Sequence, residues 1–113
     1  MIAEIVSLPL YESHVADLLT EDERSAMEYF IALAPEAHPV IPRSGGFRKA
    51  RWALSGRGKR GGVRAIYYFI SPPGQIFMAH IYSKSQKENL SANDLKALNS
   101  LAAQIKLACR KEH

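Results

Sequence analysis

Hydrophobic and polar residues follow two different periods along this chain, and the change of period marks its structural elements. The N-terminal run IAEIVSL is rich in apolar and β-branched residues, which predicts a strand that ends at Pro9. The next segment, YESHVADLL, is compatible with a short helix. A longer helix is predicted from Thr20, because Thr20 and Glu23 have the spacing of a capping box, and Pro35 ends it.

Both long helices carry apolar residues at a spacing near 3.6, which predicts one buried face for each. In the helix after Thr20 the apolar row consists of Ala26, Tyr29, Phe30 and Leu33. The last helix, SANDLKALNSLAAQIKLACRK, begins with Ser91 and Asp94 in a second capping arrangement. Its apolar row consists of Leu95, Leu98, Leu101, Ala102, Ile105 and Ala108.

Three runs in the middle of the chain have the period of two that is typical of strands. In FRKARWAL, Lys49 and Arg51 point to one side, whereas Arg48 and Trp52 point to the other. The runs VRAIYYFI and QIFMAHIYS follow, joined by the turn SPPG, so the three strands are expected to form an antiparallel meander. The element order predicts an α+β fold: a small antiparallel sheet of the N-terminal strand and the meander, with two N-terminal helices and one C-terminal helix.

Length and composition are those of one folded domain covering residues 1–113, with 47% hydrophobic and 23% charged residues. The apolar runs are far shorter than the roughly 20 residues that span a bilayer. The N-terminus also lacks the basic start of a signal peptide, so we expect a cytoplasmic protein without membrane contact. Cys109 is the only cysteine and no Cys/His cluster has zinc spacing, so neither a disulfide, a metal nor another cofactor is expected.

Charge is distributed unevenly behind the formal net charge of +4. Residues 1–36 contain eight acidic residues and one basic residue, whereas residues 37–87 contain ten basic residues and no acidic one. The ten are Arg43, Arg48, Lys49, Arg51, Arg57, Lys59, Arg60, Arg64, Lys84 and Lys87. Such a segment usually binds a polyanion, with nucleic acid as the first candidate. The alternative is that the acidic N-terminal helices cover it in the fold.

The glycine-rich segment GRGKRG, residues 56–61, has the spacing of a dinucleotide-binding loop. It lies between two strands instead of opening a helix, so a Rossmann site is a poor interpretation. A hairpin turn that needs positive φ angles is the structural alternative. The three cations of the segment, Arg57, Lys59 and Arg60, favour a backbone that a nucleic-acid strand can approach.

The block FRKARWALSGRGKRGGVRAIYYFI, followed by a strand and IYSKSQKENLS, resembles the RelE superfamily of bacterial toxins, and more narrowly its HigB-type branch. The resemblance implies a RelE-like fold and the toxin of a type II toxin–antitoxin module, an mRNA interferase that inhibits translation and arrests growth. It implies three partners: the ribosome, messenger RNA, and a cognate antitoxin of the helix-turn-helix, HigA-like kind. Operator DNA would be contacted only through the antitoxin.

The same resemblance implies the residues of the site. Arg64 corresponds to the residue that contacts the scissile phosphate, Lys59 to a position in the basic loop, and Lys84 to the basic residue after the next strand. The tyrosine of the best-known relatives corresponds to Leu90 here, and Tyr82 on an adjacent strand is the expected substitute, which completes the predicted catalytic set. The RNA contacts expected beside this set are Arg48, Lys49, Arg51, Arg57, Arg60 and Lys87.

These residue types suit RNA cleavage without a metal, in which the ribose 2′-hydroxyl attacks the neighbouring phosphate. The reaction needs a base, cations for the charge of the phosphorane, and a proton for the leaving oxygen. A lysine crowded by arginines has a lowered pKa and can act as the base, and an arginine such as Arg64 binds two phosphate oxygens at once. Two alternatives stay open: a toxin of the same fold that poisons DNA gyrase, and a non-catalytic RNA- or DNA-binding module.

Overall fold

The computed structural model describes residues 3–54, 62–86 and 89–111, and these residues form three helices and four strands. The elements in chain order are β1 (Glu4–Ser7), α1 (Pro9–Leu18), α2 (Glu21–Leu33), β2 (Arg48–Ala53), β3 (Gly62–Ile70), β4 (Gln75–Ser83) and α3 (Ala92–Lys111). This order confirms the predicted α+β fold. No helix within the described ranges is both long and apolar enough to cross a membrane.

The four strands form one sheet in the order β1-β4-β3-β2. The predicted meander is confirmed, because β3 pairs antiparallel with both β2 and β4. The expectation of a wholly antiparallel sheet is wrong for β1, which runs parallel to β4 with Glu4 beside Gln75. The two helices between β1 and β2 return the chain to the end of the sheet where β1 began, so β2 runs in the direction of β1. Two reversals later β4 runs the same way.

Helix α2 begins as predicted but buries a different face. The N–H of Glu23 donates to the Thr20 hydroxyl and the N–H of Thr20 donates to the Glu23 carboxylate, which completes the capping box. The predicted apolar row is wrong as a buried face, because three of its members are largely exposed: Tyr29 at 56%, Phe30 at 43% and Leu33 at 57%. The residues that α2 buries are Met27, Ile31 and Ala32.

Arg24 explains why the inner side of α2 tolerates charge. Its guanidinium donates to the carboxylate of Glu12 on α1 and to that of Glu28 one turn further along α2. It also lies over the ring of Tyr11, whose hydroxyl donates to Glu28 at 2.7 Å. Because these groups satisfy one another, charged residues can occupy the boundary between the two helices and the sheet.

We expect Arg24→Ala to lower the free energy of unfolding by about 2 kcal/mol, because Glu28 loses its charged donor in a half-buried position. The bond to Arg24 also lowers the pKa of Glu12. The part of the stability that comes from the Arg24–Glu12 bond is therefore present above the pKa of Glu12 in the unfolded chain. It is lost as the pH falls through the lowered pKa of Glu12 in the folded chain. Urea unfolding at neutral pH measures the change, with the exposed Arg110→Ala as control. Equal stability of the two variants would contradict this prediction.

The sheet separates two hydrophobic layers, and the second of them leaves part of the sheet open. On one face, α1 and α2 pack on side chains that include Ala65 and Tyr67. On the other face, α3 covers Ile66 and Tyr68 with residues from its predicted apolar row, among them Leu98, Ala102 and Ile105. Lys49, Arg51 and Arg64 project from the same face and remain partly or largely exposed.

Candidate active site

Four cationic side chains and one amide line a single cavity of about 220 Å³ on the open part of the sheet. Lys49 and Arg51 come from β2, Arg64 from β3, and Lys84 from the turn after β4, while Asn89 precedes α3. Arg51 lies directly opposite Arg64 in the β2–β3 pair, and the period of two places Lys49 on the same face. The alternation predicted for FRKARWAL is thus confirmed at these positions.

Among the described residues, the lining of the cavity consists of cations and an amide and includes no carboxylate. Within residues 3–54, 62–86 and 89–111, the ion pairs are those that Arg24 makes with Glu12 and Glu28, so none involves a cation of the cavity. The positive potential of four clustered cations favours a ligand with several negative charges.

Arg64 occupies the centre of this cluster. It lies between Arg51 on β2 and Tyr82 on β4. The hydrogen bond that the described residues offer it is a long one, from Nη1 to the carbonyl of Val63 at 3.4 Å. A Cβ atom at position 62 would lie only 3.3 Å from this Nη1, so Gly62 leaves space for the guanidinium. Within the described part of the chain, most of the donors of Arg64 have no protein acceptor and are available to a ligand.

Tyr82 lies beneath the cavity and is not among its lining residues. Its side chain is only 4% exposed and packs with Leu98 and Ala102 in the layer under α3. Burial raises the pKa of Tyr82, and the positive charge of Arg64 opposes this rise. The ring also packs against the ring of His80 at 5.5 Å between centroids. This position suits a support for Arg64 better than a group that touches the substrate.

Of the predicted RNA contacts, Arg48 is not brought to this cavity. Arg48 lies on the opposite face of β2, where its guanidinium donates to the backbone carbonyls of Glu36 and His38 at 3.0 and 2.8 Å. These bonds hold the loop before β2 and lie away from the cavity. The position of Arg48 therefore does not support its predicted contact with RNA. The remaining predicted residues lie outside the described part of the chain: Arg57, Lys59, Arg60 and Lys87.

Asn89 is the lining residue that the sequence pattern did not single out. Shortly after it, the N–H of Ser91 donates to the Asp94 carboxylate, and the N–H of Asp94 donates to the Ser91 hydroxyl. This reciprocal cap fixes the start of α3 next to the cavity. The position of Asn89 just before a capped helix is the signal that could have identified it.

Comparisons with known proteins concern the family and the fold of the chain. A family model described as the RelE toxin of the RelE / RelB toxin–antitoxin system matches residues 43–112, a range that contains every lining residue of the cavity. A solved structure of the E. coli toxin RelE, a mutant in the free state, has a TM-score of 0.54 to this chain at 14% sequence identity. The match covers 78% of this chain and 90% of the other, and at this identity it shows the shared fold.

Proposed function

The chain belongs to the RelE toxin family, and we propose that it is a type II toxin of the HigB-type branch that cuts messenger RNA on the ribosome. The observation that carries this proposal is the cavity lined by Lys49, Arg51, Arg64 and Lys84, where none of the described lining residues is a carboxylate. Such a cavity suits an RNA backbone, which brings one negative charge per phosphate. Loss of intact messages would then inhibit translation and arrest growth.

In the proposed reaction the ribose 2′-oxygen forms a bond to the adjacent phosphorus, and the bond from phosphorus to the 5′-oxygen breaks. The products are a 2′,3′-cyclic phosphate and a 5′-hydroxyl. Arg64 donates to two non-bridging oxygens and stabilises the extra negative charge of the phosphorane. Arg51, directly opposite Arg64, and Lys49 hold the flanking phosphates.

Two proton transfers accompany this step, from the 2′-hydroxyl and to the leaving 5′-oxygen. Arginine stays protonated in proteins, so the lysines are the cationic groups at the cavity that can exchange a proton. We assign these transfers to Lys84 together with Lys59 of the basic loop. No metal or other cofactor takes part in this scheme. Positioning of the message by the ribosome supplies much of the remaining rate enhancement.

Membership of the RelE toxin family implies a cognate antitoxin as partner. We propose that this antitoxin is HigA-like, with a helix-turn-helix domain, and that the toxin meets operator DNA only through it. The ribosome and its message are the targets, so the proposed place of action is the cytoplasm. Co-purification of the untagged product of a neighbouring gene is the expected result when both genes are expressed.

Expression of the chain without its antitoxin tests the proposed function in cells. We expect growth to stop and new 5′ ends to arise inside coding sequences, because the cleaved messages are being translated. The Arg110→Ala variant removes an exposed cation near the far end of α3 and should be as toxic as the unchanged chain. Normal growth in the presence of folded, abundant protein would contradict the proposal.

Lys49→Ala is expected to weaken RNA binding modestly and to lower its salt dependence. Lys49 lines the cavity beside Arg64, and a lost phosphate contact reduces the slope of log K against log salt by about one. Binding of a labelled single-stranded RNA, measured from low to physiological salt, gives this slope. The slope of the Arg110→Ala control should not change, and an unchanged slope for Lys49→Ala would remove this lysine from the RNA contacts.

A further inference from the structure

An apolar cavity lies on the α3 side of the sheet, apart from the cationic one. It has a volume of about 240 Å³ and lies where the starts of α1 and α3 meet the strands β3 and β4. Of the described residues that line it, nine are apolar, among them Ile66 and Leu98 of the hydrophobic layer under α3. The other two are His80 and Asp94. A concave apolar surface with a few polar groups is typical of a site for a small molecule.

A bulge in β4 accounts for this space. Ile66 pairs with His80, whereas the next residue of β3, Tyr67, pairs with Met78, so Ala79 is an extra residue in β4. Such a bulge redirects side chains, and Ala79 and His80 both line the cavity although they are consecutive. Because alanine has a small side chain, Ala79 leaves the space between β4 and α3 unfilled.

The volume and the lining of the cavity determine the size of a suitable ligand. An apolar cavity of about 150 Å³ in another protein binds benzene, so about 240 Å³ gives room for two fused rings. The side chain of Leu10 lines the cavity and is 51% exposed, so the cavity is open to solvent on that side. A ligand therefore has a path into the cavity, and the apolar surface that it buries there provides affinity.

Asp94 provides a hydrogen-bond acceptor in this apolar lining. Its Oδ2 atom accepts from the N–H of Ser91 at 2.9 Å, and a carboxylate has about four acceptor positions, so it can accept from a ligand as well. Asp94 lies in the first turn of α3, where the positive end of the helix dipole stabilises its negative charge. A neutral N–H group is therefore sufficient as its partner, and an ammonium group is not needed.

We propose that this cavity binds a small neutral molecule with two fused aromatic rings and one N–H donor, of which indole is the simplest. The rings lie between β4 and α3, against Ala79 and Leu98, and the N–H donates to the carboxylate of Asp94. Binding at this site requires neither RNA nor an antitoxin, so the proposal goes beyond the proposed function and does not depend on it.

Isothermal titration calorimetry of the purified full chain with indole and with benzofuran tests this proposal. Benzofuran has the same two rings but an oxygen atom in place of the N–H. We expect indole to bind at least about tenfold more tightly, because benzofuran cannot form the hydrogen bond to the charged acceptor. In NMR spectra, indole should shift the backbone amide signals of Ala79, Leu90 and Asp94, which line the cavity, more than those of β1.

Ala97→Phe and Ala103→Phe are matched variants on α3. Both positions are exposed, but Ala97 lines the cavity, whereas Ala103 is not among the described lining residues. The phenyl ring introduced by Ala97→Phe should fill the space and abolish measurable indole binding, and Ala103→Phe should bind indole normally. Asp94→Asn keeps an oxygen for the N–H of Ser91 but removes the charge, so the preference for indole over benzofuran should fall below about threefold.

The outcomes that would overturn the proposal are distinct. Either no saturable binding of indole up to about 1 mM, or equal affinity for indole and benzofuran, would do so. Self-association of the chain that Ala97→Phe prevents would also do so, because apolar side chains of a second copy would then occupy the cavity. If Ala97→Phe does not fold, the comparison of indole with benzofuran on the unchanged chain still decides.

These outcomes are separate from the test of the proposed function. A chain that cuts messenger RNA but does not bind indole overturns the aromatic site alone. A chain that binds indole but cuts no message overturns the nuclease proposal and leaves the aromatic site in place.

Discussion

Arg64→Ala is expected to reduce mRNA cleavage about 100- to 1000-fold with little change in the fold. The loss corresponds to about 3–4 kcal/mol of transition-state stabilisation, the value typical of a donor that meets developing negative charge. The folded state loses little, because the described residues offer Arg64 one long hydrogen bond and no ion pair. The same substitution should abolish growth inhibition in cells.

Growth inhibition and the melting temperature of each variant measure the two halves of this prediction. Arg64→Lys is an informative second variant, since it keeps the positive charge but cannot bind two phosphate oxygens at once. Its activity should fall between that of the unchanged chain and that of Arg64→Ala. Arg110→Ala controls for the loss of a surface charge. An Arg64→Ala protein that melts like the unchanged chain and stays fully toxic would remove this residue from the mechanism.

Gly45→Ala is expected to lower the free energy of unfolding by about 3 kcal/mol. Gly45 has φ +82°, a backbone conformation that costs an L-residue about 1–2 kcal/mol. A Cβ atom there would also lie 2.9 Å from the Cβ of Ala102 and 3.0 Å from Oδ1 of Asn99 on α3. Overpacking of this kind costs about 1–3 kcal/mol in addition. The Asn99 amide donates to the carbonyl of Arg43, so the clash falls where the loop holds α3 against the sheet.

Gly74→Ala is the matched control for this clash. Gly74 also has a positive φ, +93°, but a Cβ atom there would have no neighbour within 4 Å. It should therefore show only the backbone cost of about 1–2 kcal/mol. Urea unfolding compares the two variants directly. Equal losses for Gly45→Ala and Gly74→Ala would show that the approach of α3 to the loop adds nothing to stability.

Local sequence patterns predicted those features that depend on residues close together in the chain. The alternation in FRKARWAL placed Lys49 and Arg51 on one face, and the capping pair placed the start of α2 at Thr20. The buried face of α2 depends on a contact that no local pattern contains. Arg24 faces inward because it forms an ion pair with Glu12 on a different helix. The apolar row from Ala26 to Leu33 is therefore exposed to solvent.

The residue types of the site could be predicted from the sequence, but which side chains line the cavity and which are buried could not. Arg64 and Lys84 line one cavity, and the β3–β4 register that places Tyr82 opposite Arg64 includes a shift between Ile66 and Tyr67 that the sequence pattern does not predict. Tyr82 is buried because α3 packs over it, so an adjacent strand position did not suffice to bring it to the surface. Similarly, the period of two separated Arg48 from Arg51, but only the carbonyls of Glu36 and His38 show what Arg48 binds instead.

The most direct test of ribosome-dependent cleavage by the ribose hydroxyl uses a translating extract with a defined message and equimolar purified chain and ribosomes. Primer extension first maps the break, which we expect within the codon in the ribosomal A site. The same message is then prepared with a single 2′-deoxy nucleotide immediately 5′ of the mapped phosphate. We predict cleavage of the unmodified message and an intact bond at that phosphate in the deoxy message. No cleavage of the unmodified message, or equal cleavage of both, would contradict the proposed reaction.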